Sequence, residues 1–509
     1  MTERFAYDAV PYDTEANPEA HPRSMATLAR LFGKTAASPS SARVLEIGCG
    51  DGEHMIAAAS YLPRARFVGF DLAADAIARG TAAARAAGIA NVELSNRDVR
   101  DVRATGLGGS DGDGSFDYVV AHGVYSWVPE SIRGDVLAVI RSALASNGVG
   151  FLSVNALPGW TLRRALRSLM REVSAEVEEP GAKVRAALGL VDELAAAGED
   201  APGFVGVLAR AANEYRAHVV KATPPDAPFS RYVFHDLLAE CNDPFSVEEL
   251  GERLRAAGLR LLCETPLSRA RAQDFPGLAE DMATTGSPFL QVLVCRDDGE
   301  ANETRAPALG AIRTMQLWAD LATAPGGGFR TTTGALLRAA AGSPLARAAL
   351  AAPGFVPVAS LADGEASLAQ LERDLFVASC EGVLLLASEA APIRGASDTP
   401  RVDAYVRARA RDALERGART AVLTSALHRS FRVPDTELRV VVELDGRTTV
   451  AEIAARIGEA ARFDAPDPRS GTASNDAPDP GLGTASNRLV AKVVDRFARY
   501  GFLIEEGGT

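Results

Sequence analysis

The sequence predicts an α/β fold: a doubly wound sheet of mainly parallel strands with a helical insertion, followed by two small C-terminal α+β modules of winged-helix-like order. Three observations carry this. From Arg43 short aliphatic runs alternate with Ala-rich helical stretches, the pattern of strand-helix units. A strand, a glycine turn and a helix follow one another over residues 43–61. The sheet pattern breaks off near residue 158 and resumes at 246–298, after a stretch with helical signals alone.

Arg43-Val-Leu-Glu-Ile47 reads as a buried strand, Gly48 to Gly52 as a tight turn and Glu53 to Tyr61 as a helix. Arg66 to Phe70 is the next strand, ending in Asp71, and Ala73 to Ala87 a second helix closed by Gly88. Asn91 to Ser95 gives a third strand ending near Asp98, Phe116 to Ala121 a fourth, Ser131 to Ala145 a helix and Val149 to Val154 a fifth strand. The loop Thr105 to Ser115, rich in Gly and Asp, reads as a surface turn. Ser246 to Ala257 opens with a capping box (Ser246, Glu249), and Leu259 to Cys263 and Phe289 to Cys295 complete the sheet.

These spans divide the chain into a core at 1–158, a helical insertion at 159–245, the last helix and two strands of the core at 246–298, a middle module at 299–397 and a C-terminal module at 398–509. In the middle module Thr331-Thr-Thr333 reads as the cap of a helix through Leu337, Leu368 to Cys380 as a helix and Gly382 to Leu386 as a strand. In the last module Thr449 to Arg456 and Asn487 to Tyr500 read as helices and Gly501 to Ile504 as a strand, so the two share one winged-helix-like order. Residues 464–487 are a tandem 12-mer whose Pro, Asp, Gly and Ser predict a disordered loop.

A chain of 509 residues holds about three domains. Hydrophobic residues at 47% and charged residues at 24% argue against a disordered or fibrous protein. A net charge of −12 disfavours nucleic acid as the main partner. The five cysteines, Cys49, Cys241, Cys263, Cys295 and Cys380, are widely spaced, which points to a reducing cytoplasm, and no membrane span or metal-ligand spacing is legible.

The chemistry is written at the carboxyl ends of the strands. Glu46-Ile-Gly-Cys-Gly-Asp-Gly52 follows a strand and opens a helix, the setting in which glycines let the backbone approach a nucleoside-bearing cofactor. Glu53 stands where the dinucleotide fingerprint requires glycine, and Asp51 would repel a pyrophosphate. S-adenosylmethionine, with an ammonium and a sulfonium cation, suits these carboxylates better. Glu46, Gly48, Cys49, Gly50, Asp51 and Gly52 are its candidate contacts, with Asp71 and Leu72 placed for the ribose and Asp98 and Val99 for the adenine.

After the fourth strand, Ala121-His-Gly-Val-Tyr-Ser-Trp-Val-Pro129 concentrates candidate acceptor-side residues. His122 is a general base, or else a satisfied histidine that positions a loop or touches the cofactor. Tyr125 and Trp127 line a channel for an amine or the sulfonium, or else are packing aromatics. Methyl transfer from a sulfonium needs alignment more than an enzyme nucleophile, so the lack of a catalytic triad is no objection.

Val44 to Gly52 resembles the first motif of class I S-adenosylmethionine-dependent methyltransferases, whose sheet is Rossmann-like. Tyr7-Asp-Ala-Val-Pro-Tyr12 with His21-Pro22, the 121–129 string, Asn155-Ala-Leu-Pro-Gly-Trp160, and Phe234-His-Asp-Leu-Leu with Asn242-Asp-Pro244 resemble bacterial methyltransferases with a methyltransferase regulatory domain, including rickettsial protein lysine methyltransferases. The resemblance implies a protein substrate methylated on lysine, a homodimer, an insertion serving regulation or dimerisation, and C-terminal modules that hold the substrate. It departs at Asn155-Ala-Leu, where the family reads Asn-Thr-Tyr before Pro-Gly-Trp. Two other readings stay open: a methyltransferase of a small molecule or modified peptide, and a regulator that binds S-adenosylmethionine without turnover.

Overall fold

The computed structural model describes residues 10–12, 14–107, 114–223, 227–270, 275–297, 306–319, 321–323, 328–331, 336–337, 343–350, 354–463 and 481–505. After helix α1 (Pro22–Leu31) the core alternates β1 (Arg43–Ile47), α2 (Glu53–Tyr61), β2 (Arg66–Asp71), α3 (Ala74–Ala86), β3 (Val92–Asn96), α4 (Val99–Thr105), β4 (Phe116–Ala121), α5 (Glu130–Ala143) and β5 (Leu144–Asn155). Four helices follow: α6 (Thr161–Val173), α7 (Pro180–Ala197), α8 (Phe204–Ala222) and α9 (Arg231–Asp236). The sheet then returns with α10 (Val247–Ala256), β6 (Leu259–Glu264), α11 (Phe275–Thr285) and β7 (Phe289–Arg296).

The seven strands lie in the order β3-β2-β1-β4-β5-β7-β6. β1 to β5 are parallel, and β7 runs antiparallel between β5 and β6. Strands covered on both faces need apolar residues pointing both ways, which is why β1 and β4 carry adjacent apolar residues, Val44 and Leu45 in one and Tyr118 to Ala121 in the other. One face packs on α5 and α10, through Val136, Ile140, Leu250 and Leu254. The other packs on α1 and α2 and on the middle module, through Met25, Leu28, Met55 and Leu317. The strand order reverses between β1 and β4, so the chain segments leaving their carboxyl ends lie side by side.

The helices α6 to α9 bury their own core of Trp160, Leu166, Met170, Val184, Val191 and Tyr215. The middle module holds β8 (Gln316–Ala319), β9 (Leu321–Thr323), β10 (Phe329–Thr331), β11 (Leu336–Leu337), α12 (Pro344–Leu350), β12 (Phe355–Pro357), α13 (Glu365–Cys380) and β13 (Leu384–Ala387). Its sheets are antiparallel, β12-β8-β13 and β11-β10-β9. The last module holds α14 (Ala404–Glu415), the hairpin β14 (Thr420–Thr424) and β15 (Ser430–Pro434), α15 (Asp435–Glu443), α16 (Val450–Phe463) and α17 (Gly481–Arg499).

Three expectations are corrected. Thr331 and Leu336–Leu337 are strand rather than helix, with 332–335 outside the described residues: Phe329 and Thr331 are buried with Arg330 exposed between them, a two-residue alternation that suits β10, which pairs with β11. Residues 481–487 of the tandem repeat are helical, since α17 begins at Gly481 and Ser486 is buried. The rest of the repeat, 464–480, lies outside the described residues, as do 108–113 of the Gly- and Asp-rich loop. Residues 501–504 form no full strand and pair only through isolated bridges, Val402 with Leu503 and Ile393 with Ile504. No helix among the described residues is long and apolar enough to cross a membrane.

Candidate functional site

The glycine turn sits between the carboxyl ends of β1 and β4. Gly48, Gly50 and Gly52 have φ of +68°, +57° and +74°, left-handed values that favour glycine. At Gly48 a Cβ would stand 2.5 Å from Val124 Cγ2, so the turn and the segment after β4 touch where only a hydrogen fits. Asp71 ties the turn to β2, with Oδ2 accepting the Gly50 amide and Oδ1 the Ala73 amide, each at 2.8 Å.

Three carboxylates gather around this turn. Glu46 is 5% exposed and its Oε2 has no hydrogen-bond partner. Burial, and then the neighbouring Asp71 and Asp51, push its pKa well above the ordinary value. The Cys49 thiol is pushed up in the same way by burial, then by Glu46 and Asp71. A buried carboxylate oxygen left unpaired beside two others is a site for a cation. The donor set and that orphan oxygen therefore fit a ligand carrying an ammonium and a sulfonium.

Leu72, directly after Asp71, is 48% exposed, an apolar side chain open at the cleft. Asp98 lies beyond the end of β3 and caps α4 by accepting the Arg100 amide at 2.8 Å. Its Oδ2 also pairs with Arg100 at 2.6 Å, and that bond holds its pKa below the usual carboxylate range. Part of its acceptor capacity is thus spent inside the chain. Val99, the first residue of α4, is half-buried against the core.

His122 follows β4. Its Nδ1 lies 3.0 Å from Ser153 Oγ, which also accepts the Gly123 amide at 2.9 Å. The Asn17 amide nitrogen lies 3.3 and 3.4 Å from the two ring nitrogens and donates to Gln291 Oε1 at 2.9 Å. Burial lowers its pKa to about 4, so the ring is neutral at pH 7. Trp127 is half-buried, its amide donating to the Val124 carbonyl at 2.9 Å.

Tyr125 is placed differently from the channel reading. It is 1% exposed, its ring lies 5.2 Å from that of Phe245, and burial raises the pKa of its phenol against the lowering effect of the Arg253 charge on α10. It packs in the apolar cluster that also takes in Val136 of α5 and Leu250 of α10.

Sequence reasoning missed a strap to which residues 10–12 and 14–20 belong. Val10 O accepts from His235 Nε2 at 2.6 Å, Thr14 Oγ1 donates to Asp51, and the Asn17 amide donates to His54 Nδ1 at 3.2 Å. Thr265 Oγ1 donates to Glu19 at 2.9 Å. The strap thus spans the insertion, the glycine turn and the edge of the sheet. Asn17-Pro18 was the one local signal, an N-cap residue followed by proline at N1. His21, His54 and His428, far apart in sequence, also meet here, with ring centroids 4.5 to 4.7 Å apart. Of the arginines of 401–420, Arg409 turns to Glu53 and Arg416 to Asp412.

Fold and turn together define a class I methyltransferase domain, and residues 45–149 match the family model described as "Methyltransferase domain". Among particular proteins, the chain resembles rickettsial ones. It shares its fold with PKMT2 from Rickettsia typhi, solved in complex with AdoHcy, at a TM-score of 0.79 over 97% of this chain and 100% of that one, with 21% identity. It is 37% identical over 164 residues to protein RP789 of Rickettsia prowazekii (strain Madrid E), covering 32% of this chain and 28% of that protein. It is 34% identical over 169 residues to protein RP028 of the same organism, covering 33% of this chain and 65% of that protein. The matches thus span less than two thirds of either relative's length.

Proposed function

We propose that the protein is an S-adenosylmethionine-dependent methyltransferase that transfers a methyl group to a protein, on lysine side chains. The observation that carries the donor half is the carboxylate cluster Glu46, Asp51 and Asp71 around a turn of left-handed glycines. A pyrophosphate would meet like charge there, whereas the ammonium and sulfonium of S-adenosylmethionine relieve it.

In this reading Glu46 holds the ammonium, Asp71 the ribose hydroxyls, and Leu72 the apolar face of the adenine, with Asp98 and Val99 at its edge. Gly48, Cys49, Gly50 and Gly52 give the ligand a path along the main chain, and Asp51 secures the turn to the strap through Thr14. When bound, the sulfonium supplies an electrophilic methyl group with a neutral thioether as leaving group. His122, neutral and engaged by Ser153 and Asn17, positions the segment after β4 and is too weak a base at neutral pH to take a lysine proton. Trp127 remains the acceptor-side aromatic.

The acceptor half is supported by the whole-chain fold shared with PKMT2 of Rickettsia typhi and by the motifs that resemble rickettsial protein lysine methyltransferases. By the same resemblance the protein is a homodimer whose C-terminal modules, winged-helix-like in our reading, hold the substrate protein. The experiment is incubation of the purified protein and host lysate with methyl-labelled S-adenosylmethionine. Label recovered as methyl-lysine in a protein is the expected result. Label confined to small molecules would replace the acceptor, and binding without transfer would make the protein a sensor.

A further inference from the structure

Besides the Tyr61 hydroxyl donating to the Thr424 carbonyl at its far end, the helix behind the glycine turn meets three residues of the C-terminal module at its first turn, all three outside the matched methyltransferase domain. Tyr405 of α14 donates its phenol hydrogen to Glu53 Oε2. Arg409, about one helical turn further on, lies 3.6 Å from the same oxygen. His428, between β14 and β15, lies 2.9 Å from His54 with its Nε2 against Nδ1. Since His54 Nδ1 already accepts from the Asn17 amide, His428 is the donor.

Glu53 and His54 are the first two residues of α2, which Gly52 caps in a left-handed conformation. Glu53 is 5% exposed, and its other oxygen, Oε1, has no hydrogen-bond partner. Asp51 and Glu15 add like charge from the glycine turn and the strap, so the Tyr405 hydroxyl and the Arg409 guanidinium are what hold this carboxylate inside. The Tyr405 ring packs with Ile56, Ala57 and Ala84, joining α14 to α2 and α3. On the other side the strap holds the same turn, through Thr14 on Asp51 and Asn17 on His54. Without the module, a buried unpaired carboxylate would sit one residue from Gly52, and the cheapest relief is to swing the first turn of α2 toward water.

We propose that Tyr405, Arg409 and His428 are positioning residues for the cofactor cleft: they fix Glu53 and His54, and with them the direction of the first turn of α2, so the docked C-terminal module sets cofactor affinity. This rests on the cofactor reading above. By linkage, a ligand in the cleft also tightens the docking of the module.

The test uses the full-length protein with S-adenosylhomocysteine as probe. Calorimetry gives its Kd for wild type, Tyr405→Phe, Arg409→Met and Arg409→Lys, and hydrogen exchange of residues 50–56 is followed without ligand. The expected result is a rise in Kd of about tenfold for Tyr405→Phe and Arg409→Met, partial recovery in Arg409→Lys, and faster exchange confined to 50–56. A Kd within twofold of wild type, with unchanged exchange there, overturns the proposal even if melting temperatures fall. Should Tyr405→Phe not fold, the Arg409 pair decides alone, since that side chain is one-third exposed. Wild-type protein that does not bind the probe, while Arg409→Met still exchanges faster at 50–56, removes the cofactor reading and keeps the clamp.

Discussion

Asp71 and Gly50 are joined by a 2.8 Å hydrogen bond, from the Gly50 amide to Oδ2, which makes one carboxylate both the brace of the glycine turn and the acceptor nearest the expected ribose. Asp71→Ala removes both functions. Hydrogen bonds to a charged group contribute roughly 1.5–3 kcal/mol each, so the loss of even one to the ligand weakens binding by at least about tenfold. Asp71→Asn keeps one acceptor oxygen and should fall between the two. Calorimetry with S-adenosylhomocysteine reads the series, and an affinity for Asp71→Ala equal to wild type would remove Asp71 from the site.

Gly80 gives the opposite of the usual helix rule. In the interior of α3 a Gly→Ala change would ordinarily stabilise by about 1 kcal/mol. Here an added Cβ would stand 1.8 Å from the Asp51 carbonyl oxygen and 2.9 Å from Leu94 Cδ1. The Asp51 obstacle is backbone of the glycine turn itself, so either α3 or the turn must move. Gly80→Ala should lower stability by roughly 1–3 kcal/mol, the range for overpacked cores, and weaken cofactor binding with it. Urea denaturation with calorimetry checks both, and a stabilised variant with normal binding would contradict the packing.

How far the sequence could be read follows from which interactions are local. The doubly wound core was legible because parallel strands buried on both faces write themselves as largely apolar runs, Val44 to Ile47 broken only by Glu46 and Tyr118 to Ala121 unbroken, and because the glycine turn is contiguous. The β14–β15 hairpin was missed because no glycine marks its turn: His428 takes the left-handed position at φ +59°. Short strands such as β10 are three residues long, too few for a period to show. The strap contacts of Thr14 and Asn17 and the clamp of Tyr405 on Glu53 join residues 37 to 352 positions apart, and no local pattern encodes such a pairing.

Glu264, at the end of β6, sets a pH dependence of definite sign. It is fully buried, neither oxygen has a hydrogen-bond partner, and Arg269, at 3.6 Å, is too far for one. Burial raises its pKa to about 7, against the lowering effect of Arg269. A carboxyl whose folded pKa is raised binds its proton more tightly when folded, so its contribution costs stability as pH rises from about 4.5 through 7. Glu264→Gln removes the ionisation while keeping the shape. The variant should match wild type near pH 5 and exceed it at pH 8 by on the order of 3 kcal/mol, since each pKa unit corresponds to about 1.4 kcal/mol. Denaturant unfolding at the two pH values reads the difference, and equal stabilities at pH 8 would show that the carboxylate is compensated.

Tyr125 separates a packing role from a channel role. Its ring lies against Phe245 and its hydroxyl faces Arg253, whose guanidinium is also held by Glu130 at 2.6 Å and Glu249 at 2.9 Å. Arg253 therefore stays paired when the phenol oxygen is removed, and the ring of Tyr125→Phe fills the same space. The expected outcome is cofactor affinity and turnover within about threefold of wild type, with a stability loss of no more than about 1.5 kcal/mol, the most that one polar contact of a hydroxyl contributes. Tyr125→Ala, which empties the space beside Phe245, should cost about 3–5 kcal/mol as other large-to-small core changes do. A Tyr125→Phe protein that binds S-adenosylhomocysteine normally but transfers no methyl group would return Tyr125 to the acceptor site, because a hydroxyl that only packs has no means of stopping turnover while leaving binding intact.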